Sequence, residues 1–553
     1  MSFRLRSLAL GLLVLTAAPA VAAPVPQAGA KYDPPTAVGQ LLSGQRLLDE
    51  IKGFAQSIDP RLGDEFDKGI ADALGEKGFA GVDLKKPVGL FAYIKPKLEH
   101  SYLAFAVPVT SEKEALDLLD RLQFAVEEEK GQKGLYRLRK RGFIEEEVPV
   151  RVKFHDGHAY LAVNADADEL DVAKLIPIKA LVDDKEKAPL AATVYVSRVP
   201  KELIDMAGGL LAEGRRGMAQ LEQQAPKDMP QGFPAFGKEC LDWAERNWAA
   251  MIADGETLTF RLNAEHKSGA FDTSLSLTPK AGSKLATDVA AIKKGSGRFH
   301  QLTTKDAVGG AWISPPALPK GIGEKGGKFL SDWINLAANA AGEPAQPVLE
   351  ELARQVDGVL AKGQIDSGLA VFGPDKDSLY TGVLAIGLSD AAALEKVVKD
   401  TVKGLPKEVQ GLVKLDAEKA GDLSVHVVTL PEVPQEVQKL IGQKAEIRVA
   451  FGAGAAFVAA GPGGLEQIKR AAGLKAAEAK GFDVQVNAAK VKKMTAHLIP
   501  DEGARVFDMT LGQEDKLRSL YGVDITGGKE LTISWSQYQL GLFFGFFGAR
   551  AVR

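Results

Sequence analysis

The sequence predicts an α+β protein of two similar tandem lobes, each a mainly antiparallel β-sheet with helices packed on one face. Three observations predict it. The chain repeats itself: Arg151-Val152-Lys153-Phe154-His155-Asp156-Gly157-His158-Ala159-Tyr160 returns 297 residues later as Arg448-Val449-Ala450-Phe451-Gly452-Ala453-Gly454-Ala455-Ala456-Phe457. Short alternating runs are joined by turn residues rather than by strand–helix–strand crossovers, which disfavours the runner-up, a doubly wound parallel sheet. Between them, apolar residues recur at spacings of three and four, the mark of helices with one buried face. The repeat also sorts residues: those that both copies keep build the fold, and groups carried by one copy are dispensable to it.

Residues 1–22 read as a signal peptide. Arg4 and Arg6 form a basic start, an apolar stretch follows from Leu8 to Ala18, and Ala20-Val21-Ala22 supplies the small residues that a signal peptidase needs. Cleavage after Ala22 is favoured, because cleavage after Ala23 would leave Pro24 beside the cut. The apolar run is short for a membrane span, and no later segment is long and apolar enough to be one. Residues 23–36, with Pro24, Pro26, Gly29, Pro34 and Pro35, are expected to be a flexible lead-in. The first repeat is then assigned to 37–296 and the second to 297–553.

Each repeat is expected to open with two helices. Leu47, Leu48, Ile51 and Phe54 mark one, and Phe66, Ile70 and Leu74 the next; Leu330, Trp333, Ile334 and Leu336, then Leu349, Leu352, Val356 and Leu360, mark the second pair. Two strands and a helix follow at a constant offset of 279, so that Gly89 to Ala92 answers Gly368 to Val371, and Ser111 answers Asp390 as the helix start. Ser111 and Glu114 have the spacing of a capping box. After a variable stretch of about twenty residues comes the repeated hairpin, whose Asp156-Gly157 suits a primed turn because glycine accepts positive φ. A helix is expected next, near Asp168 in one copy and Gly464 in the other. Strands at 193–196 and 483–486 follow. The last shared piece is read as a strand pair, 258–262 with 270–277 in one copy and 531–535 with 542–547 in the other. The first repeat carries extra helical sequence near 200–254, and a helix over 282–294 bridges the repeats.

At 553 residues the chain is too long for one ordinary core. Hydrophobic residues make up 45% and charged residues 25%, the composition of a globular protein, with a net charge of −3. Signal cleavage removes two arginines and no acid, so the product stays mildly acidic and a nucleic-acid surface is not indicated. The single cysteine, Cys240, can neither pair within the chain nor carry a lipid beside the signal. Its helical surroundings, with no histidine nearby, read as a buried inert thiol.

The polar motifs reduce to plain readings. His155 and His158 flank a turn and could pair toward a metal, but a site wants three or four ligands, and the second copy has Gly452 and Ala455 there. Asn164, Asp166 and Asp168 imitate the start of a calcium loop, but Glu169 and Leu175 stand where glycine and glutamate are needed. The run Gly321-Ile322-Gly323-Glu324-Lys325-Gly326-Gly327-Lys328 resembles a phosphate loop, yet Ile322 and Phe329 break the pattern and no strand leads in; a loop before the Phe329 helix is expected. No nucleophile elbow, zinc helix or dinucleotide fingerprint occurs. The seven histidines (100, 155, 158, 266, 300, 426 and 497) are scattered. No catalytic, cofactor-binding or metal residue is therefore assigned, and the ligand-binding residues are left open. The apolar run 541–548 suits a strand buried on both faces or an aromatic surface for a lipid or partner.

The signal segment, the Val107-Pro108-Val109-Thr110-Ser111 passage and the Arg-Val-x-Phe-x-x-Gly hairpin together resemble duplicated exported proteins of planctomycete-type bacteria. That resemblance implies the fold and export but no activity. The leading reading is an exported, non-catalytic envelope protein, periplasmic or extracellular, that binds a ligand or partner in the groove between lobes. The alternatives are a carrier enclosing an apolar ligand such as a lipid within curved sheets, and an exported hydrolase whose His, Asp or Glu residues converge in one lobe. Function is expected where the copies differ, at 200–254 and in the Phe-rich end.

Overall fold

The computed structural model describes residues 32–58, 60–140, 148–224, 230, 232–267, 269–343, 345–496 and 515–538. The signal segment and the Phe-rich end lie outside the described residues. The expected α+β class with antiparallel pairing is what forms. The first half supplies strands β1 (Ala37–Leu41), β2 (Val88–Tyr93), β3 (Tyr102–Pro108), β4 (Phe124–Glu128), β5 (Leu135–Lys140), β6 (Val150–His155), β7 (His158–Val163), β8 (Leu190–Tyr195), β9 (Gly255–Glu265) and β10 (Ala270–Pro279). The second supplies β11 (Ala307–Ile313), β12 (Ser367–Phe372), β13 (Thr381–Gly387), β14 (Val413–Ala420), β15 (Leu423–Thr429), β16 (Glu446–Gly452), β17 (Ala455–Ala460), β18 (Phe482–Asn487), β19 (Leu517–Thr526) and β20 (Leu531–Tyr538).

These strands make one 20-stranded sheet rather than one sheet per repeat. In the first half the pairing runs β4-β5-β6-β7-β3-β2-β1-β8-β9-β10. In the second it runs β14-β15-β16-β17-β13-β12-β11-β18-β19-β20. The two series have the same order, and they meet where β10 pairs antiparallel with β20, Ala270 opposite Tyr538 through Leu277 opposite Leu531. Left apart, each last strand would be an open edge; pairing them removes two edges at once.

Thirteen α-helices accompany the sheet among the described residues: α1 (Gly44–Ile58), α2 (Pro60–Leu74), α3 (Glu112–Arg121), α4 (Lys201–Gln224), α5 (Gly232–Asp254), α6 (Lys284–Ala291), α7 (Lys320–Ala341), α8 (Gln346–Ala361), α9 (Ala391–Gly404), α10 (Lys407–Gln410), α11 (Gln435–Ile441), α12 (Gly464–Ala472) and α13 (Ala488–Thr495). Ser111 caps α3 by accepting the Glu114 N–H at 3.2 Å, and Asp390 caps α9 through the Ala393 N–H at 3.0 Å. The repeated hairpin closes with Asp156 at φ 47° and Gly157 at 70°, and again with Ala453 at 52° and Gly454 at 69°, the two positive φ values of a type I′ turn.

Several expectations need correction. Both faces of the sheet are covered, not one. On β7, Ala159 packs toward α3 with Leu119 and Phe124, while Tyr160 and Ala162 pack with Leu170, Ile176 and Leu181 on the other face. The continuous apolar run Ala159 to Ala162 is what a strand buried on both sides requires. After the first hairpin there is only a 3₁₀ turn, Ala167–Leu170, whereas α12 forms in the second copy. In the first copy Leu170, Leu175 and Ile176 are buried at spacings that no single helical face offers, before Pro177. Asp168 caps nothing there; it pairs with Lys174 at 3.2 Å.

The last strand pair was also misassigned. Leu531–Tyr538 pairs with the preceding Leu517–Thr526, so it is the counterpart of β10 and not of β9. The glycine-rich 321–328 run is not a loop but the first turns of α7. A β-carbon on Gly323 would stand 2.2 Å from the Leu360 carbonyl oxygen, and one on Gly327 2.5 Å from Asp357 Oδ1, so these glycines let α8 lie close against α7. Strands β1 and β11 open the halves ahead of the helix pairs, and hairpins β4–β5 and β14–β15 fill the variable stretches. Residues 32–36 are held in place: Tyr93 Oη donates to the Asp33 carbonyl, and Arg198 donates to the Pro35 carbonyl at 2.8 Å.

Candidate functional site

Among the described residues, one group of carboxylates and histidine converges: Glu395, Asp416 and His426, joined by Lys399. Each is placed by an element of the second half. Leu394 and Val398 of α9 face the core, which turns Glu395 and Lys399 along the flank, one helical turn apart and 2.8 Å from each other. The β14–β15 ladder breaks its register between Lys414 and Glu418, and Asp416 stands in that bulge at φ 52°. A positive φ on a non-glycine residue persists only where its surroundings hold it. His426 of β15 lies under the bulge with its side chain 2% exposed, its ring 6.1 Å from that of Phe451.

The contacts define the state of each group. The Asp416 N–H donates to His426 Nδ1 at 3.0 Å, so Nδ1 carries no proton and the neutral ring holds its hydrogen on Nε2. Nε2 faces Glu395 Oε1 at 3.4 Å. Lys399 Nζ closes the group, 2.8 Å from Glu395 and 2.9 Å from Asp416 Oδ1. Hydrogen bonds to both carboxylates raise the Lys399 ammonium above its usual range, and the Lys399 bond holds Asp416 below the usual carboxylate range. Burial lowers His426, against the pull of Asp416 and Glu395.

This arrangement limits the chemistry. A metal ion would have to displace Lys399, and ligation through Nε2 would put a second hydrogen against the Asp416 N–H. As a general base the imidazole would need a ring nitrogen open to a substrate; both are enclosed. The group is a salt-bridge cluster closed by its own ammonium. Its counterpart in the first half shows what the fold asks of the position. Tyr136 of β5 pairs with Val152, as His426 pairs with Val449, the same residue of the repeat. Tyr136 stands 6.0 Å from Phe154, the counterpart of Phe451, and its hydroxyl donates to Glu112 of α3 at 2.7 Å. That bond pushes the phenol up to about 12. The fifth strand of each half thus turns an aromatic ring toward a helix carboxylate, and only in the second is that ring an imidazole, which burial keeps neutral.

The other sequence motifs stay apart. His155 and His158 oppose each other across the turn, and His158 Nδ1 contacts the Asp156 carbonyl at 2.8 Å. Asn164 donates to the Glu99 and Ser101 carbonyls at 2.8 and 2.7 Å, away from Asp168. The shared arginines are scaffold: Arg151 binds Glu129 at 3.0 Å, and Arg448 binds Glu418 at 2.8 Å and Glu446 at 2.9 Å. Cys240 is half-buried on α5, and burial pushes its thiol up.

A second feature lies in the insertion. Helices α4 and α5 pack as a hairpin, and the start of α5 docks on α7 of the second half, where Phe236 stacks on Phe329 at 5.5 Å and the Gly232 N–H donates to Asp332 at 2.7 Å. Large apolar side chains face outward on these three helices: Met206 (57% exposed) and Leu210 (64%) on α4, Trp243 on α5, and Leu330, Trp333 (53%) and Leu336 on α7. Among the described residues no helix is long and apolar enough to cross a membrane. No protein family, curated protein or solved structure matches the chain.

Proposed function

We propose that this is an exported binding protein of two duplicated lobes, whose partner engages the outward apolar faces of α4, α5 and α7. The observation that carries the reading is the set Met206, Leu210, Trp243 and Trp333, large apolar residues left exposed on helices with ample polar sequence around them. Tryptophan at such a surface supplies much contact area at little entropic cost. The duplication is supported by the common pairing order of the ten strands in each half, and export by the sequence of residues 1–22. The test is site-specific photocrosslinking in the native host from position 333, with exposed Lys113 on α3 as control. A discrete adduct from 333 alone supports the reading; equal or absent adducts at both sites sink it. Mass spectrometry of the mature chain should find Ala23 first.

One observation favours the carrier of an apolar ligand as a second reading. The four strands at the joint between halves present an apolar row, Phe260, Leu275, Ile533 and Ile525, all only half-buried. Organic extracts of protein purified from its host decide this: no copurifying lipid at stoichiometric level removes it. The hydrolase reading asks for converging histidine and carboxylates. These meet at His426, but with neither ring nitrogen open to a substrate.

A further inference from the structure

We propose that His426 is an acid-sensitive latch on the 415–417 bulge: the neutral ring holds the bulge by accepting the Asp416 N–H, and the protonated ring lets it go. The geometry leaves little choice. Nδ1 can accept the Asp416 N–H, 3.0 Å away, only while it bears no proton. Once protonated, two donors face each other at that distance. The new Nδ1–H has an alternative acceptor in Asp416 Oδ1, 3.9 Å away in the neutral arrangement, and reaching it requires the bulge to turn. The bulge is ready to move: Asp416 sits at φ 52°, outside the register of its ladder, and its carboxylate is the most exposed of the group.

The charges around the ring make the two states comparable. Glu395 and Lys399 face it from α9, and Asp416 from β14; β16 offers only Val449 and Phe451, and Val348 and Leu352 of α8 complete the apolar wall. Two carboxylates against one ammonium leave room for one further positive charge, so protonation neutralises the cluster rather than overcharging it. Burial opposes that charge and keeps the ring neutral at ordinary pH, which sets the release on the acid side of 6.5. The first half cannot answer acid in this way, because Tyr136 stands at the same place.

Amide exchange read by mass spectrometry tests this on the full mature chain, between pH 7.5 and 4.5, after correction for intrinsic rates. Peptides over 413–420 should lose protection about tenfold or more on acidification, while those over 124–129 should not. Asp416 stays ionised through this range, since Lys399 holds it down. In His426→Asn the amide oxygen still accepts the Asp416 N–H but takes no proton, so the loss should vanish; His426→Gln serves should the Asn form fold poorly. Equal protection of 413–420 at both pH values in the wild type overturns the latch, as does an undiminished loss in the variants.

Discussion

The glycine run in α7 gives the sharpest test of how the helices are packed. In a solvent-facing helix, glycine to alanine stabilises by about 1 kcal/mol, because alanine gives up less backbone freedom on folding. Gly209 of α4 is such a position, with nothing within 4 Å of where its β-carbon would stand. Gly323 is not: there the β-carbon would lie 2.2 Å from the Leu360 carbonyl oxygen, more than ~1 Å inside ordinary van der Waals contact. A backbone carbonyl cannot swing away as a side chain can, so α7 and α8 must separate. Overpacking of this severity costs about 3 kcal/mol, and the helical gain offsets about 1, leaving Gly323→Ala near 2 kcal/mol less stable. Urea unfolding followed by circular dichroism, compared at equal slope, reads both variants. Gly209→Ala should raise the midpoint and Gly323→Ala should lower it. A raised midpoint for Gly323→Ala would refute close packing as the reason for the run and reopen its reading as a loop.

Other expectations concern the two halves. Arg448→Met strands Glu418 and Glu446 and should cost about 1–3 kcal/mol, with part recovered in the double variant with Glu418→Gln; full additivity of the two would count against the pairing. Replacing His155 and His158 together by alanine should move the unfolding midpoint by less than about 0.5 kcal/mol, whereas Gly157→Ala, at φ 70°, should lose about 1 kcal/mol. Burial places the folded His426 below the unfolded value near 6.5, so the folded chain binds fewer protons between the two values. The stability this group contributes is therefore complete above about pH 6.5 and drains away as pH falls toward the folded value, a slope that His426→Asn should flatten in urea midpoints taken from pH 7.5 to 5. Leu330→Ser, one turn from the crosslinking position on the same helix, should leave the midpoint within about 0.5 kcal/mol yet weaken the adduct formed from position 333.

Elements with strong local signals were legible in the sequence. The repeated hairpin, the caps at Ser111 and Asp390, and the amphipathic helix pairs follow from turn chemistry and periodicity that a few neighbours determine. What escaped depended on distant partners. Strand β11 contains Gly309 and Gly310, poor strand formers alone, and is fixed by β12 and β18 on either side. The glycines of α7 punctuate a loop when read locally and make a helix only because α8 and α5 lie against them. His426 looked like one of seven scattered histidines, and its partners stand 10 and 31 positions away on other elements. No sequence offset points to it: the hairpin offset of 297 sets Tyr136 against Val433, and only the pairing with Val152 and Val449 brings Tyr136 and His426 to the same place in the sheet.

The pairing of β10 with β20 carries a consequence for descent. Equivalent strands that run antiparallel side by side are related by a half-turn, the operation that joins two identical subunits in a symmetric dimer. A single ten-strand ancestor would have had the same free edge and could have met its own copy there. Duplication in tandem would then have turned a concentration-dependent encounter into a permanent one within a single chain. The two halves now differ in helices α4 and α5, which the first half carries, and in the ring at one shared position, Tyr136 in the first and His426 in the second.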